Sequence, residues 1–331
     1  MPVVSLAMAR QRSDIASCAQ RFEAIATNVE QVIQGKDDVI RLALVCLLAE
    51  GHLLIEDVPG VGKTSLAKAL AASLGSGWHR IQFTPDLLPS DVTGVNVFNR
   101  ATGAFEFRPG GVFAEIVLAD EINRASPRTQ SALLEAMEER QVTVDSTSYR
   151  LPSPFMVIAT QNPIEHQGTY PLPDSQLDRF LMRIDMGYPD HHAEVAILET
   201  HAATDPIDDL RAVATARDVT DMVAGARQIY VAPPIRSYIV DLANTSRDHP
   251  AVALGMSPRS SLALQRAARS RALSLGRDYV LPDDVKSLAR PVLEHRLTLN
   301  PESEMSGVVV GEVLDEVLAS VPVPTGRAAA G

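Results

Sequence analysis

The sequence predicts an α/β protein: a parallel sheet with helices on both faces, followed by a smaller, wholly helical domain. Three observations carry that expectation. A glycine-rich loop, Asp57-Val58-Pro59-Gly60-Val61-Gly62-Lys63-Thr64, lies between an apolar run, Leu53-Leu54-Ile55, and a helical run, Ser65-Leu66-Ala67-Lys68-Ala69-Leu70. Two more short apolar runs, Ile116-Val117-Leu118-Ala119 and Phe155-Met156-Val157-Ile158-Ala159, show no polar alternation, as strands buried on both faces of a parallel sheet do not. Beyond about residue 189 the pattern turns to helical periodicity with no convincing buried strand.

The 331 residues suit two domains, and 46% hydrophobic with 21% charged residues is ordinary globular composition. The net charge of −11 argues against broad electrostatic binding to nucleic acid or anionic lipid. Cys18 and Cys46 both fall in apolar helical patterns, which suits buried thiols better than a disulfide or a metal pair. No apolar run reaches the roughly 18 residues a membrane helix needs. With no signal-peptide pattern at the N-terminus, the expectation is a soluble cytoplasmic protein.

Taken in order, residues 1–12 read as a flexible leader. A helix follows from Asp14, its expected N-cap, to about residue 32, with Ile15, Cys18, Phe22, Ile25 and Val29 on one stripe. A second helix runs from about Asp37 to Gly51, and 53–55 is the first strand. Residues 78–83 form the next strand, and the two prolines of 84–91 mark a loop or short turn. Residues 95–98 and 105–107 suggest a hairpin across Asn99-Arg100-Ala101-Thr102-Gly103. The strand at 116–119 leads to a helix over 127–139, capped by Ser126. A second hairpin over 142–151 and the strand at 155–160 follow. Helices are expected near 191–203, 217–225, 233–247, 257–275 and 282–295. The domains are then 13–188 for the sheet and 189–322 for the helical part, with a disordered tail over 323–331.

Strand, glycine loop and helix in that order make the context of a phosphate-binding loop. Gly60 and Gly62 let backbone N–H groups turn inward, and the helix adds its positive end. Lys63 would reach the β- and γ-phosphates of a nucleotide, and Thr64 would offer a hydroxyl to Mg²⁺. The strict pattern has glycine where this chain has Asp57. Asp120-Glu121 ends the apolar strand, at the sheet edge where open α/β sheets bind ligands. Asp120 would complete the Mg²⁺ shell beside Thr64, and Glu121 would polarise the attacking water. Asn162 ends another buried strand and would face the same edge. Arg179 and Arg259 are candidate cations for the charge that develops on a transferred phosphoryl group. On spacing alone, a solvated or ion-paired surface arginine is the commoner case for either.

Residues 30–320 resemble the MoxR branch of the AAA+ ATPases. The resemblance rests on Glu56–Thr64, Gln82-Phe83-Thr84-Pro85-Asp86-Leu87-Leu88-Pro89-Ser90-Asp91, Leu118-Ala119-Asp120-Glu121-Ile122-Asn123-Arg124-Ala125, Ala159-Thr160-Gln161-Asn162-Pro163, Gln176-Leu177-Asp178-Arg179-Phe180 and Ser257-Pro258-Arg259. Asp57 matches that branch. The resemblance implies a three-layer αβα core with a P-loop, a small all-α lid, and Mg²⁺-dependent ATP hydrolysis. It implies Asn162 as a sensor, Arg179 as a finger acting on a neighbouring subunit, and Arg259 as a lid sensor acting within its own. Residues Val32, Ile33, Gln34 and Gly35 would line the adenine pocket, and Pro59 to Ser65 with Asp120 would hold the nucleotide. It also implies a homo-hexameric ring, with or without dependence on nucleotide, and a chaperone-like or metal-insertion role beside a von Willebrand factor A domain partner. The ATPase subunit of a metal chelatase and, less well matched to the acidic balance, a nucleic-acid motor are the alternatives.

Other clusters have plainer readings. His191, His192 and His201 lack a carboxylate or cysteine framework and suit a solvated helix face better than a metal site. Glu135, Glu138, Glu139 and Arg140 read as a charged helix face.

Overall fold

A computed structural model describes residues 2–58, 60–162, 168–200 and 206–324. Their contacts form two compact units, Arg21–Asp221 and Met1–Gln20 with Met222–Gly331.

The first unit is built on five parallel strands, β1 (Leu53–Glu56), β2 (Trp78–Gln82), β5 (Ile116–Asp120), β8 (Met156–Gln161) and β9 (Met182–Ile184), in the order β2-β5-β8-β1-β9. Two antiparallel hairpins branch from it, β3 (Gly94–Asn99) with β4 (Ala104–Pro109), and β6 (Gln141–Val144) with β7 (Thr147–Arg150). Its helices are α1 (Pro2–Glu30), α2 (Asp37–Leu48), α3 (Lys63–Ser73), α4 (Pro89–Thr93), α5 (Pro127–Glu139), α6 (Asp174–Leu177) and α7 (His191–Thr200), with α1 continuing in from the other unit. Every residue of β5 is buried, which is why its sequence shows no alternation. Leu54, Val117, Ala119, Val157 and Ala159 pack with Leu133, Leu134 and Met137 of α5 in one core cluster. Each fully buried Val, Leu or Met among them contributes roughly 1.5–3 kcal/mol to the sheet floor beneath the site.

The hairpins are joined to each other. Phe107 stacks on Tyr149 with ring centroids 3.8 Å apart, and Asn96 Nδ2 donates to Asp145 Oδ2 at 2.6 Å. At the tip of the first hairpin Phe98 and Phe105 meet edge to face.

The second unit holds the rest of α8 (Ala216–Gln228), then α9 (Pro233–Asp248), α10 (Pro258–Ser274), α11 (Pro282–Leu293), α12 (Pro301–Met305) and α13 (Val310–Ser320). It is helical, as expected, with one small addition. A short antiparallel ribbon, β10 (Val252–Leu254) with β11 (Thr298–Leu299), closes one side. Segments of three and two residues are too short to leave a period in the sequence.

Two expectations need correction. Residues 2–12 are helical rather than a loose leader, and Asp14 lies inside α1 instead of capping it. Leu6, Ala7, Met8, Ala9, Arg10 and Gln11 are all strong helix formers, and nothing between them and Asp14 breaks a helix. The division between units falls at Asp221–Met222 rather than near residue 189. The segment before α8 is tied down to α3: the Val213 and Ala214 N–H groups donate to the Ser73 carbonyl at 2.9 and 3.1 Å, and Asn28 Nδ2 donates to both Ser73 Oγ and the Arg211 carbonyl. Of the expected tail, residues 325–331 lie outside the described residues.

Candidate active site

The chain leaves β1 at the C-terminal edge of the sheet, between β8 and β9. Gly60 and Gly62 both adopt left-handed backbone, with φ of +88° and +93°. A Cβ on Gly60 would meet no atom within 4 Å, so only the backbone conformation demands glycine there. Gly62 caps α3 and brings no side-chain hydrogen bond to the first turn. The N–H groups opening this eleven-residue helix therefore face an anion site together with the positive helix end. Lys63 folds back across the loop and donates to the Asp57 carbonyl at 2.6 Å. Burial pushes its ammonium below the usual lysine range, against the opposing pull of Asp57, Asp120 and Glu121.

Asp57, the departure from the strict loop pattern, has a structural task. Its Oδ1 accepts the Val58 N–H at 2.7 Å, and its Oδ2 accepts the Met186 and Gly187 N–H groups at 2.7 and 2.5 Å. The carboxylate thus ties the phosphate loop to the chain leaving β9. Lys36 Nζ, donating to the Tyr188 carbonyl at 2.7 Å, holds the same segment from the other side. Charge-assisted bonds of this kind are worth about 1.5–3 kcal/mol each where the groups are buried. Asp57→Ala should therefore lower stability by about 2 kcal/mol or more, read as a fall in thermal midpoint. An unchanged midpoint would show that the three amides find other acceptors.

Asp120 closes β5, and Glu121 follows it in left-handed backbone, φ 56° and ψ 50°. Thr160 of β8 holds both: its hydroxyl donates to Asp120 Oδ1 at 2.6 Å and accepts the Glu121 N–H at 2.9 Å. From β2, Arg80 donates to Asp120 Oδ2 through Nε at 3.1 Å and Nη2 at 2.6 Å. Gln82 Nε2 donates to Glu121 Oε2 at 2.8 Å, and Arg124 Nη1 reaches the same oxygen at 3.0 Å. On the other side of the loop, Glu56 is bonded to Gln161 and lies 3.3 Å from Arg183. The strand ends are therefore cross-linked by side chains as well as by the sheet.

Gly60, Gly62, Lys63, Thr64, Ser65, Asp120, Glu121, Thr160 and Asn162 line one cleft of about 340 Å³. Asn162, at the exit of β8, is buried in its wall. Thr64 and Asp120 offer only oxygen donors, the set a hard divalent cation takes, so the residues fit magnesium. Of the expected nucleotide residues, Val61 lies in the loop and Pro59 lies outside the described residues. Ile33 is buried beside the loop, its Cδ1 3.9 Å from where a Cβ on Gly62 would stand. Gln34 follows it, and Gly35 has φ +68°, with an added Cβ only 2.7 Å from that of Ala193.

Arg179 does not line this cleft. Arg179 Nε lies 3.3 Å from Glu138 Oε2 and lines a second cleft of about 460 Å³ with Glu135, Glu139 and Gln176. Arg259 sits exposed in the first turn of α10 in the other unit, after Ser257, which accepts the Ser260 N–H. Sequence reasoning missed Arg80, Gln82, Arg124 and Thr160. Gln82, Arg124 and Thr160 stand in stretches that carry the family resemblance, and for Arg80 the signal was period two in His79-Arg80-Ile81-Gln82, which puts it on the face opposite buried Ile81. Among the described residues, no group of three or more His, Cys, Asp or Glu side chains could hold a metal, His191 and His192 included. Cys18 and Cys46 are both buried, and no described helix is long and apolar enough to cross a membrane.

Comparison with known proteins agrees with this arrangement. Residues 52–182 match the family described as "ATPase family associated with various cellular activities (AAA)", and residues 244–317 match the AAA lid domain. The chain is 50% identical over 302 residues to the uncharacterized protein YeaC of Bacillus subtilis, covering 91% of this chain and 94% of that one. It is 39% identical over 319 residues to the chaperone MoxR1 of Mycobacterium tuberculosis, covering 94% of this chain and 84% of that one. The crystal structure of a candidate ATPase from Cytophaga hutchinsonii superposes with a TM-score of 0.90 at 35% identity, covering 97% of this chain and 99% of that one. Loop, acids, lid and relatives together place the chain in the MoxR family of AAA+ ATPases, and it is an ATP-hydrolysing enzyme.

Proposed function

We propose that this chain is a Mg²⁺-dependent ATPase that works as a homo-hexamer in the cytoplasm and remodels or matures a partner protein as a chaperone. The observation that carries the reading is the single cleft shared by Lys63, Thr64, Asp120, Glu121 and Asn162. Magnesium, when bound, neutralises charge on the β- and γ-phosphates. Lys63 and the amides of the loop grip those phosphates, and the Thr64 hydroxyl and Asp120 carboxylate hold the metal. Glu121 takes a proton from the water that attacks the γ-phosphorus, and the bond to the bridging oxygen of ADP breaks as inorganic phosphate forms. Asn162 orients that water or reads the γ-phosphate, and Ile33, Gln34 and Gly35 border the base. Gln82 and Arg124 both hold Oε2 of Glu121, so the carboxylate is free to take a proton only when that tether loosens.

The ring is supported by the position of Arg179. Ion-paired with Glu138 outside the phosphate cleft, it serves as a finger by reaching the nucleotide of a neighbouring copy. Arg259 acts from the lid. The chaperone role is supported by the name of the mycobacterial relative, and a von Willebrand factor A domain protein is the proposed partner. Arg179→Ala should spare nucleotide binding by the isolated subunit and lower turnover of the assembled protein about 10³-fold. Mixing it with a Lys63→Ala variant should restore part of that turnover, because each copy supplies what the other lacks. Full activity of assembled Arg179→Ala would remove the finger and, with it, the argument for a ring.

A further inference from the structure

The pair Arg80–Asp120 has a role that the nucleotide reading leaves unassigned. Both oxygens of Asp120 are committed, Oδ1 to Thr160 and Oδ2 to two nitrogens of Arg80. Oδ2 is therefore already covered by a positive charge. The side chains differ in freedom: Asp120 is 13% exposed and Arg80 46%, so the arginine has solvent to move into and the aspartate does not. Arg80 also has a second anchor, since its Nη2 donates to Gln82 Oε1 at 2.5 Å while Gln82 in turn holds Glu121. An uncompensated pair of adjacent carboxylates in this cleft would repel a polyanionic phosphate chain arriving without metal.

We propose that Arg80 is a resident counter-cation on Asp120, which leaves that carboxylate when a divalent metal enters with the nucleotide. Guanidinium and metal compete for one charge on one side chain. Arg80 is thus a positioning residue: it holds Asp120 in place and screens it until a metal enters, and its departure pulls on Gln82 and hence on the tether of Glu121. The inference rests on the Mg²⁺-nucleotide reading and adds a competitor to it.

The test is calorimetric titration of the full chain with adenylyl imidodiphosphate, a non-hydrolysable ATP analogue, in EDTA and at graded magnesium. For the parent, magnesium should strengthen binding. Arg80→Gln should weaken binding in EDTA by about three- to fivefold and lower the half-saturating magnesium concentration by a similar factor, the size expected for one partly exposed ion pair. Arg80→Lys, which keeps the charge and loses the fork, should stay near the parent in EDTA and lower half-saturating magnesium about twofold. An equal loss with and without metal would mean that Arg80 touches the nucleotide itself, and the inference would fail. No change in either condition would also overturn it. A parent protein that binds the analogue equally well without magnesium would instead overturn the Mg²⁺ reading beneath it. If Arg80→Gln does not fold, an unaltered magnesium requirement in Arg80→Lys decides against the proposal.

Discussion

Lys63→Ala abolishes measurable ATP binding. Among the described residues lining the phosphate cleft, Lys63 supplies the side-chain cation, beside the carboxylates of Asp120 and Glu121. Burial disfavours the bare ammonium, which Asp57, Asp120 and Glu121 only partly offset, and the loop already folds it back onto the Asp57 carbonyl. A phosphate oxygen replaces that carbonyl with a full negative charge, a charge-assisted bond in a partly buried site. Losing it should weaken binding by at least about a hundredfold, roughly 2.7 kcal/mol, as read by calorimetry with saturating magnesium. The fold should be untouched, because Lys63 opens α3 at the surface of the cleft and its aliphatic stem fills no core position. Retention of binding within a factor of three would mean that the loop is not the nucleotide's seat.

Glu121→Gln separates binding from chemistry. The amide is isosteric with the carboxylate and keeps an oxygen for Gln82 or Arg124, so nucleotide affinity should stay within a fewfold of the parent. A neutral amide cannot take the proton of the attacking water, and turnover should fall about 10²–10⁴-fold in a steady-state phosphate-release assay. Hydrolysis at the parental rate would transfer the base role elsewhere in the cleft. The variant also holds the chain in its ATP-bound form, which makes it the tool for capturing the proposed partner. A protein with a von Willebrand factor A domain recovered with Glu121→Gln and ATP, and not with ADP, would support the chaperone reading; recovery of a large chelatase subunit would replace it.

Most of this site was readable from residues that act through the backbone or sit next to one another in the chain. Glycines at 60 and 62 mark left-handed positions, an apolar run marks a buried strand, and an acid pair at the end of that run marks the sheet edge. What could not be read depends on strand order. Arg80 and Asp120 are forty residues apart, and only the adjacency of β2 and β5 brings them together. Thr160 meets both acids only because β8 lies on the other side of β5. The Asp57 clamp likewise acts on amides about 130 residues away, so its departure from the loop pattern was visible and its purpose was not. The N-terminal helix was lost for a different reason, because Asp14 is a good cap residue and no local signal says that a helix is already under way.

Thr160 gives its hydrogen to one acid and takes one from the main chain of the next, so its rotor has no free setting. The resulting wire runs in one sense, from the Glu121 amide through the hydroxyl to Asp120. Metal-holding and water-priming groups are thereby geared to a single pin on a third strand. Any slip of β8 along β5 would turn both at once, which makes strand alignment and chemical competence one variable rather than two.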